Sequence, residues 1–129
     1  MVIVLSEGGS GGALAIGVGD YIMMYENAIY SILSPEGFAS ILYKDATKAS
    51  LAASDMKLTA KDLHDLKIVD YVIKEKEGLH INPKDGLDQL KSQLLRQLIK
   101  FSELTKLKLI EKRYQKYRKI GIFEAKEYR

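Results

Sequence analysis

At 129 residues, with 47% apolar and 29% charged side chains, the chain has the length and composition of one globular domain with a core. It has no cysteine, which excludes disulfides and thiolate metal sites, and its net charge of +3 is too mild to mark a nucleic-acid-binding protein. The opening MVIVLSEGG lacks the basic and long apolar regions of a signal peptide, and no apolar run reaches membrane-spanning length, so a cytoplasmic chain is expected.

Val2 to Leu5 is an apolar, β-branched run and predicts a buried strand. It starts at once, with no loop or partner strand before it, and a lone strand makes no sheet. Either a second chain supplies its neighbours, or the chain is the back half of a larger domain. Gly8, Gly9, Ser10, Gly11 and Gly12 follow, then Ala13 to Ile16 as a short helix. A strand that turns through glycines into a helix aims free backbone N–H groups at one point, beside the positive end of the helix dipole. Without side chains, a ligand atom can come close to that backbone. The stretch from Glu7 to Asp20, EGGSGGALAIGVGD, is therefore suited to hold a phosphate or an oxyanion. A tight, closely packed strand–helix connection is the other reading of the same glycines.

Downstream, Asp20 to Glu26 and Ala28 to Leu33 predict two strands. Ser34, Pro35 and Glu36 then give an N-cap, a first-turn proline and a first-turn acid, opening a helix to about Tyr43. Asp45 or Thr47 caps an alanine-rich helix to about Ser54. Thr59 with Asp62 is a capping-box variant that opens a helix with Leu63 and Leu66 on one face. Val69 to Ile73 predicts a strand and Lys74 to Asp85 a polar loop, with Asn82-Pro83 starting the helical end. Leu87, Leu90, Leu94, Leu98 and Phe101 form an amphipathic stripe. A last helix from about Leu104 to Ile120 sets Leu107, Ile110, Tyr114 and Tyr117 on one face, and Gly121 stops it.

Each candidate for chemistry has a plainer reading beside it. Gly8 to Gly12 fits the G-x-S-x-G elbow, which would make Ser10 a nucleophile. Such a hydrolase needs a histidine, and only His64, in a predicted helix, and His80, in a polar loop, are present. The dinucleotide fingerprint and the phosphate-loop motif both fail, because Leu14 stands at the last glycine position and no Gly-Lys-Ser/Thr follows. Glu36 reads as a complement to its helix dipole. The tyrosines at 21, 25, 30 and 43 read as core or interface. The basic run Lys106 to Lys119, interleaved with Tyr114 and Tyr117, reads as a solvated face with the tyrosines turned inward rather than as a nucleic-acid groove.

Five segments together resemble the carboxyltransferase alpha subunit of bacterial acetyl-CoA carboxylase. They are EGGSGGALAIGVGD (7–20), AIYSILSPEGFASILYKDA (28–46), LTAKDL (58–63), IVDYVI (68–73) and KRYQKYRKIG (112–121). The first two, at this spacing, are highly specific. Phe38 stands where that family often has a cysteine, and the family has a long upstream region absent here, so the chain resembles the C-terminal half of that subunit.

The resemblance implies an α/β fold of the crotonase type, ββα turns stacked in a superhelix and followed by long helices. It implies a single partial domain over 1–129, with an α/β portion at 1–81 and a helical portion at 82–129. It implies transfer of a carboxyl group from carboxybiotin to acetyl-CoA, giving malonyl-CoA in the first committed step of fatty acid synthesis. The implied partners are a zinc-bearing beta subunit and the biotin carboxyl carrier protein, in an alpha2beta2 assembly or a homo-oligomer, with biotin as cofactor and no metal on this chain. On this reading the backbone N–H groups of Gly11 and Gly12 form an oxyanion hole, and Gly8, Gly9 and Ser10 shape the substrate-binding turn. A non-catalytic fragment that keeps only the fold, and a hydrolase using Ser10, stand as alternatives.

Overall fold

A computed structural model describes residues 1–121. Val2–Val4 (β1), Ile22–Tyr25 (β3) and Tyr71–Ile73 (β5) form a three-stranded sheet in the order β1-β3-β5, with both pairings parallel. Glu7–Gly9 (β2) and Ile29–Ser31 (β4) form a second parallel pair. Each of the first two turns thus gives one strand to each sheet and then a helix: β1, β2, then Ser10–Ile16 (α1); β3, β4, then Pro35–Leu42 (α2). This is the crotonase-type ββα coil, and helices follow it.

β3 carries the core. Its four residues, Ile22, Met23, Met24 and Tyr25, are all buried, because β1 and β5 flank it and both its faces are covered. A strand covered on both faces has no need to alternate, which explains the loose pattern of this segment. Around it lie Val4, Ala28, Ala60, Leu63, Val69 and Ile73.

The caps are set by local chemistry. The Ser34 hydroxyl accepts from the Gly37 N–H at 3.2 Å and opens α2. Asp45 accepts from the Thr47 N–H and opens a 3-10 turn at Ala46–Lys48, which leads into Ala49–Asp55 (α3). Thr59 accepts from the Asp62 N–H and opens Ala60–Asp65 (α4). The Asp62 carboxylate accepts a hydrogen bond from the Thr59 hydroxyl instead of closing a reciprocal box onto the backbone. Leu63 is buried as expected, but Leu66 is 45% exposed, because α4 ends before it.

Two further helices follow, Pro83–Ser102 (α5) and Lys106–Arg118 (α6). α5 docks through Leu90 and Leu94, as the stripe predicts, and through Gly86 and Gln97, which the stripe does not include. Leu87 and Leu98 lie on its outer side, about half exposed. Gly86 lets the helix close on Tyr25, whose hydroxyl donates to the Gly86 carbonyl at 3.1 Å. A Cβ at Gly86 would stand 2.8 Å from Leu79 Cδ1 and 3.1 Å from the Tyr25 ring.

α6 departs from expectation. Tyr117 does turn inward, but Tyr114 is 58% exposed and Leu107 is 79% exposed. The docking face carries Arg113, Lys116 and Tyr117, and the Lys116 side chain is only 14% exposed. Polar partners on the body of the fold, Asp20 and Asp70, draw that face inward in place of the apolar one. Among the described residues no helix is long and apolar enough to cross a membrane.

Candidate functional site: the glycine turn

The turn between β2 and α1 is built differently from the sequence expectation in one respect. Gly8 and Gly9 are strand residues of β2, paired with Tyr30 and Ser31 of β4, and α1 already begins at Ser10. Gly11 and Gly12 therefore lie inside the first helical turn, where amides have no intrahelical acceptor. Gly9, the N-cap, has an extended backbone and no side chain to satisfy them, and no acidic residue sits in that first turn. The hydroxyls of Ser34, Thr59 and Thr105 do this for α2, α4 and α6.

The glycines divide into two groups. Gly8 and Gly17 are required by Tyr30, whose ring would lie 2.6 Å from a Cβ at Gly8 and whose hydroxyl would collide with one at Gly17. Gly19 is required by Val2, which would lie 2.7 Å from its Cβ. Gly9, Gly11 and Gly12 are different: a Cβ there would meet nothing within 4 Å. None of these three has a positive φ either. Among the described residues they serve neither packing nor backbone conformation, and inside a helix a glycine costs up to about 1 kcal/mol relative to alanine. They leave a bare patch of backbone facing outward.

The one residue of the turn with a left-handed backbone is Ser10, at φ 61°. A serine in that position between a strand and a helix is the backbone an elbow nucleophile would have. The rest of a hydrolase is missing around it. Ser10 lines a cavity of 120 Å³ with Ala13, Leu14, Tyr30 and Ser31. His80 lines another, with Glu75 and Glu77, and His64 borders two more, beside Asp65 and beside Lys61. Among the described residues, neither histidine lines the Ser10 cavity, and both histidines are exposed.

The turn is held from behind. Tyr30 donates its hydroxyl proton to the Ala13 carbonyl at 2.7 Å, and burial raises its pKa above the usual tyrosine value. Tyr117, from α6, donates to the Gly17 carbonyl at 2.6 Å and accepts from the Gly19 N–H at 2.9 Å. Arg113 pairs with Asp20 and Lys116 with Asp70, whose carboxylate also accepts from the Ile22 N–H at 2.7 Å. Tyr30 and Tyr117 are expected from the sequence as packing residues only, and Arg113, Lys116 and their partners Asp20 and Asp70 are not singled out there. The spacing 113, 116, 117 puts them on one helix face, but only the fold brings Gly17 to Asp20 opposite that face. Glu36, by contrast, is exposed in the first turn of α2, where backbone hydrogen bonding lowers its pKa, as a dipole-complementing residue requires. Among the described residues no group of three His, Asp or Glu side chains is placed to hold a metal ion.

Residues 1–121 match the model of the family described as acetyl co-enzyme A carboxylase carboxyltransferase-like. Three proteins described as acetyl-coenzyme A carboxylase carboxyl transferase subunit alpha are similar to the chain. That of Clostridium botulinum (strain Eklund 17B) is 50% identical over 95% of this chain and 45% of its own length. That of Halalkalibacterium halodurans is 51% identical over 94% of this chain and 38% of its own length. That of Thermosynechococcus vestitus is 49% identical over 93% and 37%. The chain thus spans less than half the length of these relatives. With the family model matched across the whole described region, the chain belongs to the acetyl co-enzyme A carboxylase carboxyltransferase-like family.

Proposed function

We propose that this chain contributes the carboxybiotin-facing side of an acetyl-CoA carboxylase carboxyltransferase, as part of its alpha subunit. The reaction moves a carboxyl group from carboxybiotin to acetyl-CoA and yields malonyl-CoA. The observation that carries the reading is the bare backbone at Gly9, Gly11 and Gly12, kept free of side chains for no reason that the described residues supply. A ureido ring can approach an amide there as closely as the oxygen–nitrogen contact allows.

Carboxybiotin, when bound, supplies the carboxyl group and, once that has left, the nitrogen base that activates the acetyl methyl group. The N–H groups of Gly11 and Gly12 donate to the ureido oxygen, where negative charge gathers during transfer. Fixed donors in a dry site stabilise such charge better than water does, because they need not reorient. Ser10, with Gly8 and Gly9 behind it, sets the direction of those donors. No side-chain acid or nucleophile of this chain takes part.

The remaining elements belong to partners: a biotin carboxyl carrier protein that delivers the cofactor, and a zinc-bearing beta subunit that holds the CoA ester, in an alpha2beta2 assembly. Residues 1–129 are then one partial carboxyltransferase domain, with 1–81 forming the α/β part and 82–129 the helical part. The exposed apolar residues Leu14, Ile16 and Val18 next to the turn are in keeping with a surface that is covered in an assembly.

Malonyl-CoA formation tests the reading. The purified chain alone should give none, and the assembly of this chain with the rest of its alpha subunit, the beta subunit and carboxylated carrier protein should turn over. An assembly that forms yet shows no transfer would instead favour a non-catalytic fragment.

A further inference from the structure

The back of the glycine turn holds two tyrosine hydroxyls that come from opposite ends of the chain. Tyr30 belongs to β4 and reaches the Ala13 carbonyl, in the middle of α1. Tyr117 belongs to α6 and reaches the Gly17 carbonyl, across 100 residues, just past the end of α1. The two side chains are close enough that Tyr117 helps raise the Tyr30 pKa. Tyr30 also fills the spaces that Gly8 and Gly17 leave open, so its ring lies between β2 and the far end of α1. α1 has seven residues, none of them buried. A helix so short has little packing of its own to fix its direction.

We propose that Tyr30 and Tyr117 are positioning residues for carboxyl transfer: together they set the tilt of α1, and thereby aim the Gly11 and Gly12 amides. This rests on the reading of the glycine turn given above. The physical chain is short. Loss of the Tyr30 hydroxyl removes one anchor from the Ala13 carbonyl, which keeps only the Gly17 N–H. Loss of the Tyr117 hydroxyl leaves the buried Gly17 carbonyl and Gly19 N–H with each other, at 2.8 Å, but without their tie to α6, so the end of α1 loses its second anchor. Either change frees the far end of a seven-residue helix whose near end is tied to β2 through the Gly9–Ser31 pairing, so the helix tilts about that near end. The Gly11 and Gly12 N–H directions turn with it, and transition-state contacts are steeply sensitive to such misalignment.

The test uses the assembled enzyme containing this chain, with malonyl-CoA and biocytin as probes of the reverse reaction. Tyr30→Phe and Tyr117→Phe keep both rings and remove only the hydroxyls. Each should lower kcat about tenfold, with the KM for malonyl-CoA unchanged, because the turn does not hold the CoA ester. The double variant should lose less than the product of the two, because both act on one helix. Tyr43→Phe is the control: it also loses a tyrosine hydrogen bond, to Asp55, between α2 and α3. Its kcat should stay at the parent value. If Tyr117→Phe fails to assemble, the Tyr30 anchor is read twice, by Tyr30→Phe and by Gly17→Ala, whose methyl group displaces the Tyr30 hydroxyl. A kcat for Tyr30→Phe, and for Tyr117→Phe or Gly17→Ala, equal to that of Tyr43→Phe would overturn the positioning role. Gly12→Val run alongside separates the two failures: normal turnover there removes the glycine-turn reading itself.

Discussion

Arg113 holds Asp20 through two parallel hydrogen bonds, Nε to Oδ1 and Nη2 to Oδ2, each 2.9 Å long. The pair fastens α6 to the residue that ends the Gly17–Gly19 loop, 93 positions away in sequence. The forked geometry of the guanidinium matches the carboxylate and holds it in one orientation. Arg113 keeps the Asp20 carboxyl below its ordinary pKa, and Asp20 raises that of Arg113.

Asp20→Asn should therefore lower stability in a pH-dependent way. A carboxylate with a depressed pKa contributes stability that is complete above the ordinary aspartate value, near 3.9, and is lost as pH falls through the folded value. At pH 7 the variant should be the less stable of the two, by the modest amount that a solvent-screened pair contributes. The gap should close progressively below about pH 4. Urea midpoints of the two proteins across this range check it, and a gap independent of pH would contradict the ionic origin.

Gly8→Ala and Gly11→Ala should act on stability with opposite signs. At Gly8 the new methyl group meets the Tyr30 ring at 2.6 Å, in a sheet that cannot part without breaking the β2–β4 pairing. Overpacking of this kind costs about 1–3 kcal/mol. At Gly11 the methyl group meets nothing within 4 Å, and alanine is the better helix former, so the fold should gain up to about 1 kcal/mol. Thermal unfolding of the two variants measures both signs.

Three helices end on a lysine in the left-handed region: Lys44 after α2, Lys57 after α3 and Lys67 after α4, with φ of 54°, 51° and 60°. Glycine adopts that conformation without the clash between Cβ and carbonyl. Lys67→Gly should stabilise the protein by about 1 kcal/mol, relief of the clash exceeding the entropy glycine adds to the unfolded chain. Denaturant unfolding with an unchanged m-value is the expected record, and a destabilised variant would mean that the lysine charge at the helix end outweighs the backbone.

What could be read from the sequence was local. Ser34 with Pro35, Thr59 with Asp62, and Leu90 with Leu94 carry their partners within a few residues, so their roles were legible. β2 was not, because Glu7, Gly8 and Gly9 have no β-forming preference, and the strand exists only through its pairing with β4. The docking face of α6 was hidden for a related reason. Leu107, Ile110 and Tyr114 point outward while Arg113 and Lys116 point inward beside Tyr117, since Asp20 and Asp70 lie far away in sequence and opposite that face. The motif around Ser10 located the turn but could not say which residue needs a left-handed backbone or which glycines face open space. A glycine in a sequence has the same letter for either purpose.

The central claim is that backbone amides at Gly11 and Gly12, and no side chain, do the chemistry of the turn. The most direct measurement compares the turnover of Gly12→Val and Ser10→Ala in the assembled carboxyltransferase that contains this chain. Valine at position 12 meets no atom of the fold at its Cβ, so the variant should fold while blocking approach to the donor. Loss of one such donor costs on the order of 10² to 10³ in turnover. Ser10→Ala keeps every N–H in place and should stay within about tenfold of the parent, far short of what loss of an attacking oxygen would do. A severe Gly12→Val defect beside a mild Ser10→Ala defect is the predicted result. The reverse order, with both proteins folded and assembled, would contradict the oxyanion-hole assignment and restore Ser10 as a nucleophile.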